Sequence, residues 1–298
     1  MMRHFLEVDD LNPGELATVL NTAAMTNPPQ VLAGKGMALV FELSSARTRN
    51  SMEMAVVQLG GHPMYIQGDE VGMDKRESVE DVTRTLACYH SAVGARVSSH
   101  STVQRMAAVD VAPVVNMLSD EAHPLQAIAD LLTIQEIFGT LEGRTIAYVG
   151  DSNNVTRSLA LAAGLSGMNM RVASPPGYGF SDVNGDRIAA TGLALLTTGR
   201  PEEAVEGADV VYADVWTSMG QEEQSSQRLA NFEGFRINGE LMARAAEGAV
   251  FLHCLPAHRG EEVTDEVVDA SYSRVWQQAE NRMHGARGLL AWLMEQNG

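Results

Sequence analysis

The sequence predicts an α/β protein of two doubly wound parallel-sheet domains joined by helices, with a C-terminal helix packing back on the first domain. Three observations carry that prediction. Strand-like apolar runs alternate with helix-length amphipathic stretches along almost the whole chain, the pattern of parallel sheets flanked by helices. The 298 residues suffice for two such sheets. A last long helical stretch, "VWQQAENRMHGARGLLAWLMEQ", is placed to return to the first sheet.

Each element follows in turn. "NPGELATVLNTAAM" opens as a helix, with Asn12 as N-cap, Pro13 at the first position and Glu15 completing a capping pattern. "GMALVFEL" reads as a strand and "SMEMAVVQL" as a helix, beginning near Thr48. The strand "HPMYI", the helix "ESVEDVTRTLACY", the strand "AVGARV", the helix "TVQRMAAV" and the strand "APVVNM" follow. The long helix "HPLQAIADLLTIQEIF" is the expected connection between domains. Beyond it come strands at "RTIAYVG", "MRVASP", "LALLTT", "VVYADVW" and "AVFLHC". The expected domains are residues 1–134 with the terminal helix 275–298, and residues 135–274.

Composition narrows the function classes. The chain carries 21 Lys+Arg against 38 Asp+Glu, a formal net charge of −17, which argues against nucleic acid and anionic membranes as partners. Hydrophobic content of 45% with 20% charged residues is that of a globular protein. No stretch approaches the ~20 apolar residues of a bilayer span, and "MMRHFLEVDDLNPGEL" turns polar too early for a secretory signal. Cys88 and Cys254 are the only cysteines, so neither a disulfide framework nor a four-cysteine metal site is available. A reducing cytoplasm is the expected setting.

Ligands of open parallel sheets bind beyond the carboxyl ends of the strands, and the unusual polar residues of this chain cluster there. "SSARTRN" (44–50) follows the first strand and leads into a helix. Helix N-termini bind phosphate well, and Ser45, Arg47 and Thr48 add hydroxyl donors and a guanidinium fork. Surface ion pairs are the plainer reading of an isolated arginine at position 47 or 49, and the hydroxyls and the strand–helix junction together favour the phosphate site. Arg96 ends the strand "AVGARV". In "HPLQ", His123 offers a donor, Pro124 suits a first helical turn, and Gln126 matches an amide-like group; a His-Pro is also a common helix cap. "YVGDSNNV" (148–155) resembles a dinucleotide-binding turn but lacks the G-x-G-x-x-G spacing. Asn153 and Asn154 offer side-chain amides there, or serve only as turn residues. In "DVWTSMG", Asp214 suits an ammonium, while Ser218 and Met219 suit a small substrate; an ordinary loop is the plainer reading. Cys254 lies in "HCLPAHRG", and a lone buried cysteine is usually an inert hydrophobe. Arg282, in "ENRMH", falls on the final helix.

Taken in order, this set resembles the aspartate/ornithine carbamoyltransferase family, and within it the members acting on ornithine. The Ser-Thr-Arg-Thr-Arg loop appears as Ser45-Ala46-Arg47-Thr48-Arg49, and His-Pro-x-Gln as His123 to Gln126. Asp-x-x-x-Ser-Met-Gly appears at Asp214, Ser218, Met219 and Gly220, and His-Cys-Leu-Pro at His253 to Pro256. Arg96 and Arg282 match the family's remaining arginines. The resemblance implies carbamoyl transfer from carbamoyl phosphate to the δ-amino group of ornithine, giving citrulline and phosphate in arginine metabolism. It makes residues 1–134 the carbamoyl-phosphate domain and 135–274 the ornithine domain. It assigns Ser45, Ala46, Arg47, Thr48, Arg96, His123, Gln126, Cys254, Leu255 and Arg282 to carbamoyl phosphate. Arg96, His123, Cys254 and Arg282 stand nearest the chemistry. Asn154, Asp214, Ser218 and Met219 are assigned to ornithine. It implies no metal and no cofactor, and a cytoplasmic homotrimer with active sites between subunits. Three positions depart from the pattern: Leu43 where the family often has Lys, Ala46 for Thr, and Asn50 for an aromatic. In the loop 67–77, Gln67, Glu70 and Lys75 are all candidates for a contribution to a neighbouring subunit. A dinucleotide enzyme on the second sheet and a non-catalytic relative are the competing readings.

Overall fold

The computed structural model describes residues 1–217, 223 and 225–298. The chain forms two compact units, Met1–Leu132 with Glu280–Gly298, and Thr133–Ala279.

The first unit begins with helix α1 (Pro13–Ala23), where Asn12 and Glu15 form the predicted reciprocal cap. Its sheet holds β1 (Gly36–Phe41), β2 (His62–Gln67), β3 (Ala92–Arg96) and β4 (Val114–Leu118). The strand order is β2-β1-β3-β4, and every pairing is parallel. Parallel neighbours need crossovers, supplied by α2 (Ala46–Gln58), α3 (Gly68–Val71), α4 (Val79–Ala87) and α5 (His100–Ala108). From β1 the chain crosses first to one side and later to the other. Right-handed connections then place helices on opposite faces and open a crevice between β1 and β3. Helix α2 starts at Ala46, earlier than the predicted Thr48, because the Ser45 hydroxyl accepts the Thr48 N–H at 3.3 Å and caps the helix there. The β3–β4 register slips by one residue between Ala95 and Arg96, an irregularity that re-aims the side chain at a strand end.

Helix α6 (Pro124–Phe138) is buried over most of its length, Gln126, Asp130 and Thr133 along with its apolar residues, and the unit boundary falls within it. The second unit orders its strands β7-β6-β5-β8-β9, again all parallel. These are β5 (Thr145–Val149), β6 (Asn169–Ala173), β7 (Leu195–Thr198), β8 (Val210–Ala213) and β9 (Val250–His253). Between them run α7 (Asn154–Leu165), α8 (Asp182–Ala189), α9 (Pro201–Val205), α10 (Ser225–Asn231) and α11 (Gly239–Met242), with α12 (Asp265–Val268) after β9. From β5 the strands are added first on one side (β6, β7) and then on the other (β8, β9), so this sheet's crevice lies between β5 and β8. Strand β8 stops at Ala213, short of the predicted Trp216, because the Asp214 carboxylate binds the following N–H of Val215 at 2.8 Å.

The final helix α13 (Val275–Asn297) returns to the first unit, to which its residues from Glu280 onward belong. Arg287 donates to the carbonyls of Ala23 (2.6 Å), the last residue of α1, and of Met25 (2.7 Å) just beyond its cap. Gly288 lets the backbones of α1 and α13 meet: a Cβ there would lie 2.5 Å from the Val19 carbonyl oxygen and 2.7 Å from Ala23. Gly288→Ala is therefore expected to destabilise the protein by about 1–3 kcal/mol, seen as a lowered urea midpoint, despite alanine's better helix propensity. An unchanged midpoint would show that the contact yields. No helix among the described residues is long and apolar enough to cross a membrane.

Candidate active site

In the first unit, three strand ends and α13 deliver the predicted residues. The turn after β1 carries Ser45 to Thr48, β3 ends in Arg96, the turn after β4 brings His123 to Gln126, and α13 supplies Arg282. The Thr48 hydroxyl joins two of the arginines, accepting from Arg96 Nη1 at 3.4 Å and from Arg282 Nη2 at 2.8 Å. Arg282 Nη1 donates to the side-chain oxygen of Gln126. Ser45 is the cap of α2, so Ala46 and Arg47 present the first two N–H groups, which have no intrahelical acceptor.

The two arginines of the loop separate cleanly. Arg49 pairs with Glu53 at 2.9 Å and lies 3.9 Å over the Tyr65 ring, the surface ion-pair reading. Arg47 is exposed and has no hydrogen-bond or ion-pair partner among the described residues. Asn50 donates to the Ala46 carbonyl at 2.8 Å and so supports the helix start.

The electrostatics of this cluster are unfavourable as they stand. Burial, then the neighbouring Arg282 and Arg47, push Arg96 down to about 10. Burial and the same cations, with Arg96 included, hold His123 well below its ordinary 6.5, so its imidazole is neutral. Linkage follows with a definite sign. Above 6.5, His123 is neutral in both folded and unfolded chains and contributes nothing; as pH falls below that value, the unfolded chain takes a proton that the folded one refuses, and stability drops. His123→Asn is expected to flatten the slope of stability against pH between about 6.5 and 5. An unaltered slope would mean that the imidazole titrates normally.

In the second unit, the crevice between β5 and β8 holds Asn153, Asn154 and Asp214, with Cys254 just beyond β9. Asn153 caps α7, its oxygen accepting from the N–H groups of Val155 (2.9 Å) and Thr156 (3.2 Å). Its amide nitrogen donates to Asp214 at 2.8 Å. Asp214 also accepts from its neighbour Val215 and from the Cys254 thiol at 2.9 Å. Three donors hold this carboxylate in one orientation. Asn154 lies beside the cap, half-buried. Leu255 adopts φ +58°, a strained region for a branched residue, and its N–H donates to His253 Nδ1 at 2.9 Å. That nitrogen therefore carries no proton, and His253 Nε2 donates to the buried Glu262 at 3.1 Å. The "HCLP" segment is thus fixed through its histidine. Ser218 and Met219 lie outside the described residues.

Sequence reasoning missed Asp151, Arg228 and Asp130. Arg228 is buried, donating to the Trp216 carbonyl and to Asp151 while its guanidinium stacks on Tyr178 at 4.8 Å. An arginine on a seven-residue helix reads as solvated in sequence. Asp130, buried on α6, accepts from the Gln126 amide at 2.8 Å; its i, i+4 spacing from Gln126 is the cue that could have found it.

His258, Glu261 and Glu262 place one potential metal ligand each within 4.8 Å of one another. Glu262 is already engaged by His253 and by the His258 N–H at 2.6 Å, and His258 Nδ1 lies 3.6 Å from Glu261. A dinucleotide would need the free N–H groups at the start of α7, and Asn153 already occupies two of them.

Comparison with known proteins gives one answer along the chain. Residues 3–136 match the family model described as aspartate/ornithine carbamoyltransferase, carbamoyl-P binding domain. Residues 142–293 match that of the Asp/Orn binding domain. The ornithine carbamoyltransferase of Thermus thermophilus is 45% identical over 297 residues, covering 98% of this chain and 97% of the relative. That of Acidothermus cellulolyticus is 44% identical, covering 100% and 98%. Among solved structures, the Pyrococcus furiosus ornithine carbamoyltransferase superposes with a TM-score of 0.94 at 41% identity, covering 98% of this chain and 97% of that one.

Proposed function

This chain belongs to the aspartate/ornithine carbamoyltransferase family, and from that premise we propose that it transfers the carbamoyl group of carbamoyl phosphate to the δ-amino group of L-ornithine, releasing L-citrulline and phosphate. One observation carries the assignment of the first substrate. Arg96 and His123 are buried among cations that raise the cost of any further positive charge, and Arg47 stands beside them with no counter-ion among the described residues. A dianionic phosphate is the complement of such a cluster. The negative balance of the whole chain is thereby reversed locally.

The chemistry asks for the same arrangement. The amine nitrogen attacks the carbonyl carbon, and the carbon–oxygen bond to phosphate breaks. The amine enters as the free base, and its proton leaves with the phosphate as hydrogen phosphate. Negative charge develops on the carbonyl oxygen and then on the leaving group. Donors aimed at those atoms stabilise the transition state more than the bound substrate. In this reading Ser45, Ala46, Arg47, Thr48 and Arg96 bind the phosphate. His123, neutral and hence both donor and acceptor, joins Arg282 and Leu255 at the carbamoyl group. Gln126 holds Arg282 there. Asp214, with Asn154, Ser218 and Met219, receives ornithine, and Cys254 orients Asp214 instead of acting as a covalent nucleophile.

The same reading includes a cytoplasmic homotrimer without metal or cofactor, its first domain binding carbamoyl phosphate and its second ornithine. An amine panel tests the whole. Purified protein with carbamoyl phosphate should carbamoylate ornithine and leave putrescine, aspartate and N-acetylornithine unused. Product from another amine in preference to ornithine would overturn the substrate assignment, and turnover of none would overturn the activity.

A further inference from the structure

The buried side chain of Gln126 faces two opposite demands. Its oxygen accepts from Arg282, which can only donate, and its nitrogen donates to Asp130 at 2.8 Å, which when ionised can only accept. An amide is nearly symmetric in shape, so its neighbours alone decide which end points where. Asp130 sits one helical turn further along α6, on the same face as Gln126, and is fully buried. Beyond Gln126, Arg282 continues to the Thr48 hydroxyl, which Arg96 shares. A continuous chain of hydrogen bonds thus runs from a carboxylate to the arginine cluster.

We propose that Asp130 is a positioning residue for carbamoyl phosphate: it fixes the orientation of the Gln126 amide, which in turn holds the Arg282 guanidinium in register with Thr48 and Arg96. With the carboxylate present, the amide has one satisfied orientation. Without it, the flipped amide would turn its N–H₂ toward Arg282, donor against donor, and the guanidinium would lose its hold. The carboxylate also polarises the amide, strengthening the acceptor that Arg282 uses. In this proposal Asp130 touches neither substrate and acts on the site through Gln126. The assignment rests on the carbamoyl-transfer reading, whose own failure would show first as a wild-type protein without turnover.

The test is a reciprocal exchange. Asp130→Asn alone should lower kcat/KM for carbamoyl phosphate by about tenfold or more while the KM for ornithine stays within about twofold, the loss of one charge-assisted hydrogen bond. Gln126→Glu alone should be worse, because two carboxylates would then face each other at hydrogen-bond distance. Combining Gln126→Glu with Asp130→Asn restores the pattern with donor and acceptor exchanged. The new amide at position 130 can donate to one oxygen of the new carboxylate at position 126, whose other oxygen accepts from Arg282. The double variant should therefore recover at least about tenfold in kcat/KM over Gln126→Glu. Binding of carbamoyl phosphate in the absence of ornithine, read by calorimetry, should follow the same order and does not depend on turnover. A double variant no better than Gln126→Glu overturns the proposal, as does an Asp130→Asn protein indistinguishable from wild type. Should Asp130→Asn alone fail to fold, the comparison of Gln126→Glu with the double variant decides, and a double variant that also fails to fold counts against it.

Discussion

Arg47→Ala is expected to lower kcat/KM for carbamoyl phosphate by about 100–1,000-fold, the usual effect of removing one preorganised donor to developing charge, or about 3–4 kcal/mol. Its structural cost should be small. The side chain is exposed, has no hydrogen-bond or ion-pair partner among the described residues, and crowds the Arg96 guanidinium. Removing it relieves repulsion on Arg96, so the thermal midpoint of the unliganded variant should hold or rise. Wild-type protein should instead gain stability from inorganic phosphate, by about 2.7 kcal/mol at a hundredfold excess over Kd, and the variant should gain much less. Arg49→Ala is the control. Its guanidinium is committed to Glu53 and Tyr65, so the change should cost little activity. Near-normal turnover by Arg47→Ala would remove the phosphate assignment.

Asp214→Asn is expected to raise the KM for ornithine and lower its kcat/KM by about 10–100-fold, with the KM for carbamoyl phosphate nearly unchanged. Two effects combine. The negative charge that complements a cationic amino acid is lost, and an amide at this position cannot accept from all of Val215, Asn153 and the Cys254 thiol. One donor would then face the new N–H₂ group. Steady-state kinetics with each substrate varied in turn separate the outcomes. Equal losses for both substrates would mean that Asp214 serves the chemical step or the fold instead of recognising ornithine.

Much of the architecture was legible because period and punctuation agree along the chain. Asn12, Pro13 and Glu15 announced α1 by residue type alone, and the reciprocal cap forms as expected. The apolar strands and the amphipathic stretches between them appear in the predicted order. Boundaries were less legible. Ser45 moved the start of α2, and Asp214 ended β8, because short polar side chains compete for backbone groups in ways that apolar periodicity does not register. The motif residues Thr48, Arg96, Gln126 and Arg282 could be chosen by type and order, and the structure joins them in one hydrogen-bonded set.

What type and order left open was the division of labour within those motifs. Arg47 and Arg49 are equivalent on paper, with only Thr48 between them. Each helical step turns the side chain by about 100°, so the two leave α2 on nearly opposite sides. Only the neighbours met in each direction assign one to an ion pair with Glu53 and leave the other open. Arg228 gave no sign, and Asp130 only its i, i+4 spacing from Gln126, since a charged residue in a helical stretch reads as solvated until the fold buries it. The sequence by itself determined the class of fold, the order of its elements and the kinds of chemical group available, because those depend on local periodicity and on side-chain identity. The tertiary structure alone decided which donor meets which acceptor, which arginine of the loop after β1 is tied into an ion pair and which imidazole stays neutral. Those properties arise from through-space distance and burial, and neither is a function of position along the chain.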